Sequence, residues 1–382
     1  MRQALVNARV LTPQGWREDV AVVVEDGWIR DLAAPRDIPA DAARHDLSGQ
    51  TLLPGFIDCQ VNGGGGVLFN DDPSVDGIRA IGAAHRRFGT SGFLPTLISD
   101  DIDKMHAAIQ AVDDAISAGV TGVLGIHLEG PFISRERKGV HAVRFLHAPD
   151  AGELRLAASL RRGVTVLTLA PECVPPAAIR ALADAGMVVA AGHSNADFAS
   201  VREALDAGVR GFTHLFNAMS SLASRAPGMV GAALDDPDAW CGVIVDGHHV
   251  DPVCLRIALK AKPKGKVFLV TDAMPPVGAV DPSFVLNGET ITARDGICQT
   301  ATGTLAGSAL SMIDAVRNSM RMLGLPLDEA VRMASTYPAD FLGLGATRGR
   351  IDTGCRADFT VLDGELQVTE TWSDGACVQY SR

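Results

Sequence analysis

Along the middle of the chain, apolar residues come in short runs that end in polar or ionisable groups, and a helix-like stretch follows each run. Eight such runs can be counted, at residues 53–60, 92–99, 122–130, 164–172, 187–195, 211–219, 240–250 and 266–274. Each is too short for a buried helix. Between them lie stretches rich in Ala, Leu and Arg at helical spacing, such as 176–185 and 199–207. Continuous apolar strands alternating with helices imply a parallel sheet covered on both faces. Eight of them predict an α/β fold closed into a (β/α)8, TIM-like barrel. An open doubly wound sheet is the structural runner-up, but it would not need eight runs.

The two ends of the chain follow a different pattern. Residues 4–11, 20–24 and 28–32 are β-rich, with a turn at Gly27. Residues 350–352, 357–362, 367–371 and 377–380 alternate apolar and polar positions around Gly and Asp turns. Both termini, 1–50 and 346–382, therefore predict one small β-sandwich domain, leaving 51–345 for the catalytic barrel. Residues 283–307 interrupt the barrel pattern. The turn signals Asn287-Gly288 and Asp295-Gly296 predict a small β-insertion there. Helix-like sequence resumes over 308–323 and 327–341.

Composition narrows the possible partners. The chain has 382 residues, 47% hydrophobic and 21% charged, enough apolar material for a sizeable core. The formal net charge is -11, and no block of Lys and Arg stands out, which argues against a nucleic-acid partner. An anionic small substrate would need a local cationic clamp. The seven Cys are odd in number and form no C-x-x-C pair, so free thiols in a reducing compartment are expected. The N-terminal stretch has no apolar region behind its charge, and no apolar run reaches membrane-spanning length. The expectation is a soluble, cytoplasmic protein with no membrane partner.

A barrel of this kind carries its active site at the C-terminal ends of its strands. There the runs end in Asp58 to Asn62, His127 and Glu129, His193 to Asn195, Thr213 and His214, Asp246 with His248 and His249, and Thr271 with Asp272. Glu129, His193 and His214 each close a different run. Two His and one Glu, with a fourth position left for water, make up a catalytic zinc ligand set. Any one of the three reads equally well as a hydrogen-bonded core residue. All three at one barrel end argue for a metal, because burying unpaired charge is costly. A carboxylate such as Asp272, beside a water made acidic by a metal, can take its proton and return it to a leaving group. The alternative for Asp272 is a turn-capping role before Pro275 and Pro276.

Three further features are weaker. His141 ends the polar loop 130–141 and could polarise a carbonyl oxygen, or simply be an exposed loop His. Arg225, in a loop after the His214 run, is a candidate anion clamp or a solvated surface Arg. The glycines at 63–66 permit close backbone approach, but no Gly-Lys-Ser/Thr follows, so they are not a P-loop. Nothing around Cys59 marks it as a nucleophile.

Taken together the motifs resemble the N-acetylglucosamine-6-phosphate deacetylases of the amidohydrolase superfamily, over nearly the whole length. The carriers are Leu-Pro-Gly-Phe-Ile-Asp58, His-Leu-Glu-Gly-Pro-Phe132, Lys-Gly-Val-His141, Ala-Gly-His-Ser-Asn-Ala196, Thr-His-Leu-Phe-Asn-Ala-Met219, Val-Asp-Gly-His-His249, Thr-Asp-Ala273 and Leu-Ala-Gly-Ser308. The resemblance implies Glu129, His193 and His214 as metal ligands and Asp272 as general base and acid. It implies His141 beside the scissile amide, helping the metal to stabilise the tetrahedral oxyanion. Asn217, Ala218 and Arg225 fall at its phosphate site, and His249, Gln60, Asn62 and Val140 among its substrate contacts. Leu305, Ala306 and Gly307 fall where that family closes over the sugar and acetyl group. It further implies a homodimer in which Arg225 reaches the neighbouring subunit's site.

Many amidohydrolases place His-x-His after the first strand for a second metal. Here that position reads Gln60-Val61-Asn62, and amides replace imidazoles poorly as transition-metal ligands. One divalent metal per subunit is therefore expected, zinc first, with iron(II), cobalt and manganese as alternatives. The implied reaction removes the acetyl group from N-acetylglucosamine 6-phosphate, giving acetate and glucosamine 6-phosphate. Competing readings are the same reaction on N-acetylgalactosamine 6-phosphate, a cyclic-amide hydrolase, and a catalytically dead binding or scaffold protein on the same frame. The last would be expected to have lost ligands, yet all are present.

Overall fold

A computed structural model describes residues 2–380; Met1, Ser381 and Arg382 lie outside the described residues. One eight-stranded sheet holds the middle of the chain, its strands adjacent in sequence order and parallel throughout. They are β1 (Phe56–Val61), β2 (Thr90–Ile98), β3 (Gly125–Glu129), β4 (Val164–Leu169), β5 (Val188–Ala191), β6 (Gly211–Phe212), β7 (Trp240–Val243) and β8 (Val267–Leu269). Every one overlaps a run expected from the apolar pattern, and only the first two strands reach beyond theirs, by Val61 and by Thr90 and Ser91. The sheet curls until β8 meets β1. The ladder at this seam is short: one parallel bridge, Val61 with Ala273, with the Asp272 N–H donating to the Gln60 carbonyl at 3.0 Å and the Gly63 N–H to the Ala273 carbonyl at 2.9 Å.

A helix follows each strand: α1 (Val75–Arg86), α2 (Ile102–Ser117), α3 (Ala151–Ala157), α4 (Pro176–Asp184), α5 (Phe198–Ala207), α6 (Gly228–Asp235), α7 (Pro252–Ala261) and α8 (Met312–Leu323). Local chemistry starts most of them. Ser74, Asp101, Asp150, Asp197, Asp251 and Ser311 each cap a helix by accepting from a backbone N–H of its first turn. Each such cap is worth about 1 kcal/mol. Asp150 and Glu153 complete a reciprocal capping box, which starts the short α3. The apolar faces of the helices and the buried faces of the strands form one large core around the barrel.

The termini build two further sheets. A four-stranded sheet orders Trp28–Ala33, Ala21–Glu25, Arg2–Val6 and Ala43–Asp46. A six-stranded sheet orders Ala376–Gln379, Val368–Ser373, Phe359–Leu362, Thr51–Pro54, Arg9–Thr12 and Gly15–Arg17. Leu5, Val22, Val24, Ile29, Leu52, Phe359, Val361 and Trp372 share the core between them. Alternation along one strand shows why: Val22 and Val24 face this core, whereas Ala21 and Val23 face a smaller cluster on the other side.

Three local expectations are corrected. Residues 4–11 do not form one strand. Asn7 takes a left-handed φ of 56°, which Asn tolerates, and the chain steps there from one sheet to the other. Residues 350–352 are not a strand, although Ile351 is fully buried in the same core. The first barrel strand begins at Phe56, because Thr51–Pro54 is already committed to the terminal sheet through its antiparallel pairing with Phe359–Leu362.

The insertion lies where its turn signals point. Ser283–Leu286 pairs with Glu289–Thr292 around Asn287 and Gly288 (φ 52° and 83°). These paired positive values are what a two-residue hairpin turn requires. Ile297–Gln299 then pairs with Leu305–Ser308. Phe284, Leu286, Ile291, Cys298 and Ala306 pack with Leu68, Ile98 and Met274. That small core seats the insertion over the C-terminal mouth of the barrel.

Candidate active site

At the barrel mouth, a cavity of about 350 Å³ is lined by the ends of β2 and β3, by the segments that follow β1, β3, β5, β6, β7 and β8, and by the insertion. The size suits a small ligand. Glu129 ends β3, and His193 and His214 follow β5 and β6. Glu129 Oε1 lies 3.2 Å from His193 Nε2 and 3.0 Å from His214 Nε2, and the two Nε2 atoms are 3.0 Å apart. All three side chains are buried, and among the described residues they are the group of ligand atoms close enough to share an ion.

The protonation pattern fits a cation at this point. His193 Nδ1 stands 2.8 Å from the Arg137 carbonyl, to which it can only donate. In the neutral ring its Nε2 then turns a lone pair toward Glu129. Lone pairs from two imidazoles and a carboxylate facing one another repel unless a positive charge sits among them. Protonated rings could supply that charge in the ion's place: burial alone would raise the Glu129 carboxyl, but rings of His193 and His214 that carry a proton on Nε2 outweigh it and hold Glu129 well below the usual carboxylate range.

Asp272 behaves differently. Burial, then the nearby Glu129 charge, push its carboxyl up to about 6, against the opposing pull of His214, His249 and Asn62. Gln60 Nε2 (3.1 Å) and Asn62 Nδ2 (2.6 Å) both donate to its Oδ1. Gln60 Nε2 also reaches both Glu129 oxygens, at 3.1 and 3.2 Å. One amide thus joins the two carboxylates.

His141 is buried, and its ring lies 4.5 Å from that of His193. The Ser99 backbone N–H donates to His141 Nδ1 at 3.2 Å, and Ser99 Oγ lies 2.7 Å from the same atom. A backbone N–H can only donate, so the ring proton resides on Nε2. Burial, reinforced by the field of His193, lowers the His141 pKa to about 3. A neutral ring presenting Nε2–H is the result. His249 Nδ1 is 2.6 Å from Asp246 Oδ2, and Asp246 also accepts the backbone N–H groups of His248 and His249. Burial would raise Asp246, yet these bonds and the His249 ring take it down to about 2.

Backbone strain gathers at the same place. His193, His214, Ala218 and Asp272 have φ of 47°, 33°, 51° and 54°. A non-glycine residue held there costs roughly 1–3 kcal/mol and persists only when its surroundings impose it.

Of the residues singled out from the sequence, Asn62, Glu129, Val140, His141, His193, His214, Asn217, Ala218, His249, Asp272, Leu305 and Gly307 line the cavity. Gln60 lies beneath it, bonded as described. Ala306 is buried in the insertion's core, and Arg225 is exposed on its loop and does not line its own chain's cavity. Sequence reasoning passed over Glu136, Arg137 and Thr304, which line the rim, and Ser99 and Asp246, which orient the two His rings. For Asp246 a signal existed, since Asp three residues before His249 is the spacing of a capped turn. For Ser99 there was none, because its partner is 42 residues away.

With this geometry in hand, comparison with known proteins is decisive. The amidohydrolase family model matches residues 51–379. The chain belongs to the amidohydrolase family. Members of this family are metal-dependent hydrolases, and the Glu129, His193 and His214 cluster could hold the ion. The chain is 42% identical to the N-acetylgalactosamine-6-phosphate deacetylase of Shewanella sp. strain ANA-3, covering 96% of this chain and 94% of that one. The crystal structure of N-acetylglucosamine-6-phosphate deacetylase from Pasteurella multocida superposes with a TM-score of 0.96 at 36% identity, covering 100% of both chains. A mutant of the Mycobacterium smegmatis N-acetyl-D-glucosamine-6-phosphate deacetylase, solved in complex with N-acetyl-D-glucosamine-6-phosphate, superposes with a TM-score of 0.89 at 32% identity, covering 99% of this chain and 100% of that one. These matches agree with the barrel and terminal sheets expected from the sequence. Among the described residues no helix is long and apolar enough to cross a membrane.

Proposed function

We propose that this chain hydrolyses the acetamide of N-acetylglucosamine 6-phosphate to acetate and glucosamine 6-phosphate. The single observation that carries the reading is a His-His-Glu cluster beside a carboxylate raised to about 6, inside one small cavity. Glu129, His193 and His214 would hold one divalent ion, for which zinc suits the nitrogen and oxygen donors. When bound, the ion makes a water acidic and polarises the amide carbonyl.

The chain's own residues supply the rest. Asp272 takes a proton from the attacking water and returns it to the sugar nitrogen as the C–N bond breaks. A carboxyl near 6 suits both transfers at neutral pH, and the two amides on Oδ1 leave Oδ2 to carry the proton. His141, neutral and protonated on Nε2, donates to the carbonyl oxygen as negative charge develops on it. Asn62, Val140, Asn217, Ala218, His249, Leu305 and Gly307 shape the sugar and phosphate contacts, and Ala306 holds the closing segment from behind.

The exposure of Arg225 supports a homodimer in which it clamps the phosphate in the neighbouring subunit's site. Residues 51–345 serve as the catalytic unit and the terminal sheets as its support. The free state of all seven cysteines supports a reducing compartment such as the cytoplasm. A second reading, the galacto epimer as substrate, is favoured by the 42% identity to the Shewanella enzyme.

The test is acetate release from both 6-phosphorylated N-acetyl hexosamines and their unphosphorylated parents, with metal analysis of the same protein. Faster turnover of the gluco than the galacto phosphate is the expected outcome, with one metal per chain. The reverse order would move the assignment to the second reading. Equal rates with and without phosphate would remove the Arg225 clamp, and no acetate from any of the four would end the deacetylase reading.

A further inference from the structure

Asp272 stands at the weakest place in the barrel, the seam where the β8–β1 ladder has shrunk to a single bridge. Its backbone is nevertheless held on two sides by buried side chains that do not touch the cavity. From β1, Asp58 Oδ1 accepts the Thr271 backbone N–H at 3.3 Å and the Gln60 backbone N–H at 3.2 Å. Asp58 Oδ2 accepts the Thr271 hydroxyl. From the insertion, Ser308 Oγ donates to the Thr271 carbonyl at 2.6 Å, and the Ser308 N–H donates to the Asp272 carbonyl at 2.9 Å. Asp58, Thr271 and Ser308 are all fully buried. Every polar group of the Thr271 residue is therefore bonded within this clasp.

A buried carboxylate that accepts three donors, one of them a hydroxyl on the residue preceding the base, is an unusual place to put a charge. Burial pushes the Asp58 carboxyl up to about 7, against the hydrogen bonds from Thr271 and Gln60, as expected for an acid taken out of water. Packing alone would be served by an apolar residue of similar size. On the far side of the peptide, Gly307 leaves no room for a side chain: a Cβ there would meet the Asp272 carbonyl oxygen at 2.8 Å. The segment that borders the cavity at Leu305 and Gly307 is thus in contact with the strand end that carries Asp272.

We propose that Asp58 is a positioning residue for the general base: through Thr271, and opposite Ser308, it fixes the strained Asp272 backbone so that the carboxylate meets the water and the sugar nitrogen. The inference rests on the deacetylase reading of the site. It assigns a role to the acidic residue of the Leu-Pro-Gly-Phe-Ile-Asp58 stretch, which otherwise takes no part in the chemistry.

The test uses the full-length, metal-loaded protein and three variants. Thr271→Val keeps the shape and removes the hydroxyl that Asp58 holds, and it should lower kcat by about ten- to hundredfold, the scale of a small misplacement of a reacting group. KM and metal content should stay at wild-type values. Thr271→Ser keeps the hydroxyl and should remain within about twofold of wild type. Asp58→Asn should resemble Thr271→Val, and the double variant should be no worse than the poorer of the two, because both break the same bond between the Thr271 hydroxyl and the Asp58 carboxylate. If Asp58→Asn does not fold, the Thr271 pair still decides. Wild-type kcat in Thr271→Val would overturn the inference, and so would equal losses in Val and Ser variants or a loss that follows metal content. An inactive wild-type protein would instead sink the deacetylase reading.

Discussion

Glu129 and Asp272 are two buried carboxylates at one barrel mouth, both touched by the same Gln60 amide, and their surroundings drive them in opposite directions. Around Glu129, positive charge at the cluster, whether on the two imidazoles or on an ion between them, holds the carboxyl well below the usual range. Around Asp272 burial and the Glu129 charge dominate, and its carboxyl rises to about 6. In the proposed reaction the first stays ionised and holds a cation, and the second picks up and releases a proton near neutrality. Chemically identical groups have acquired separate roles through which neighbours the barrel gives them.

Breaking the ionised side should have the largest effect. Glu129→Gln removes the only anionic donor of the ligand cluster, so metal content and turnover should fall together to background. Metal analysis after dialysis reads the first and acetate release the second; an active, metal-free variant would show that the cluster is not the metal site. Asp272→Asn strikes the other side. Turnover should drop on the order of 10²- to 10⁴-fold while metal content is kept, the usual worth of a positioned acid–base group. A variant that lost its metal as well would merge the two roles that the comparison separates.

A smaller loss is expected at His141, whose Nε2–H faces the cavity between these two sides. His141→Ala should reduce kcat roughly 10²-fold, the scale of one removed oxyanion donor. Ser99→Ala, which weakens only the hold on Nδ1, should cost less than that, and an equal loss would contradict the tautomer assigned to the ring.

The mildest change sharpens the comparison through pH. Asp272 must be ionised to accept a proton, and its pKa is raised to about 6, so kcat/KM should be lost as pH falls through that value. Asn62 donates to Oδ1 and favours the ionised form. Asn62→Leu should therefore raise the pKa further and move the acid limb to higher pH. A limb that stays in place, or moves down, would mean that another group governs it.

Much of this was legible before any coordinates. Glu129, His193 and His214 could be picked out because each closes an apolar run, and a barrel brings all its strand ends to one rim. The insertion was legible from Asn287-Gly288, because few residue pairs accept two positive φ values in a row. The strand break at Asn7 was missed because apolar alternation continues through it, and only the sheet to which each half pairs reveals the step. The His141 tautomer, the Gln60 bridge and the clasp on Thr271 were out of reach for a common reason. Each joins residues far apart in the chain, by 42, 69 and 213 positions.

By itself, then, the sequence determined the barrel, the sheets of the termini and the three residues that cluster at its mouth, since these depend on local periodicity, turn chemistry and which residue ends each strand. Only the tertiary structure decided what surrounds each of those residues: a carboxylate pushed down or up, an imidazole protonated on one nitrogen rather than the other, a buried Asp58 bonded to the residue before Asp272. Protonation and position are set by the field and the hydrogen bonds of neighbours from other strands, and the barrel brings those neighbours together only when it closes.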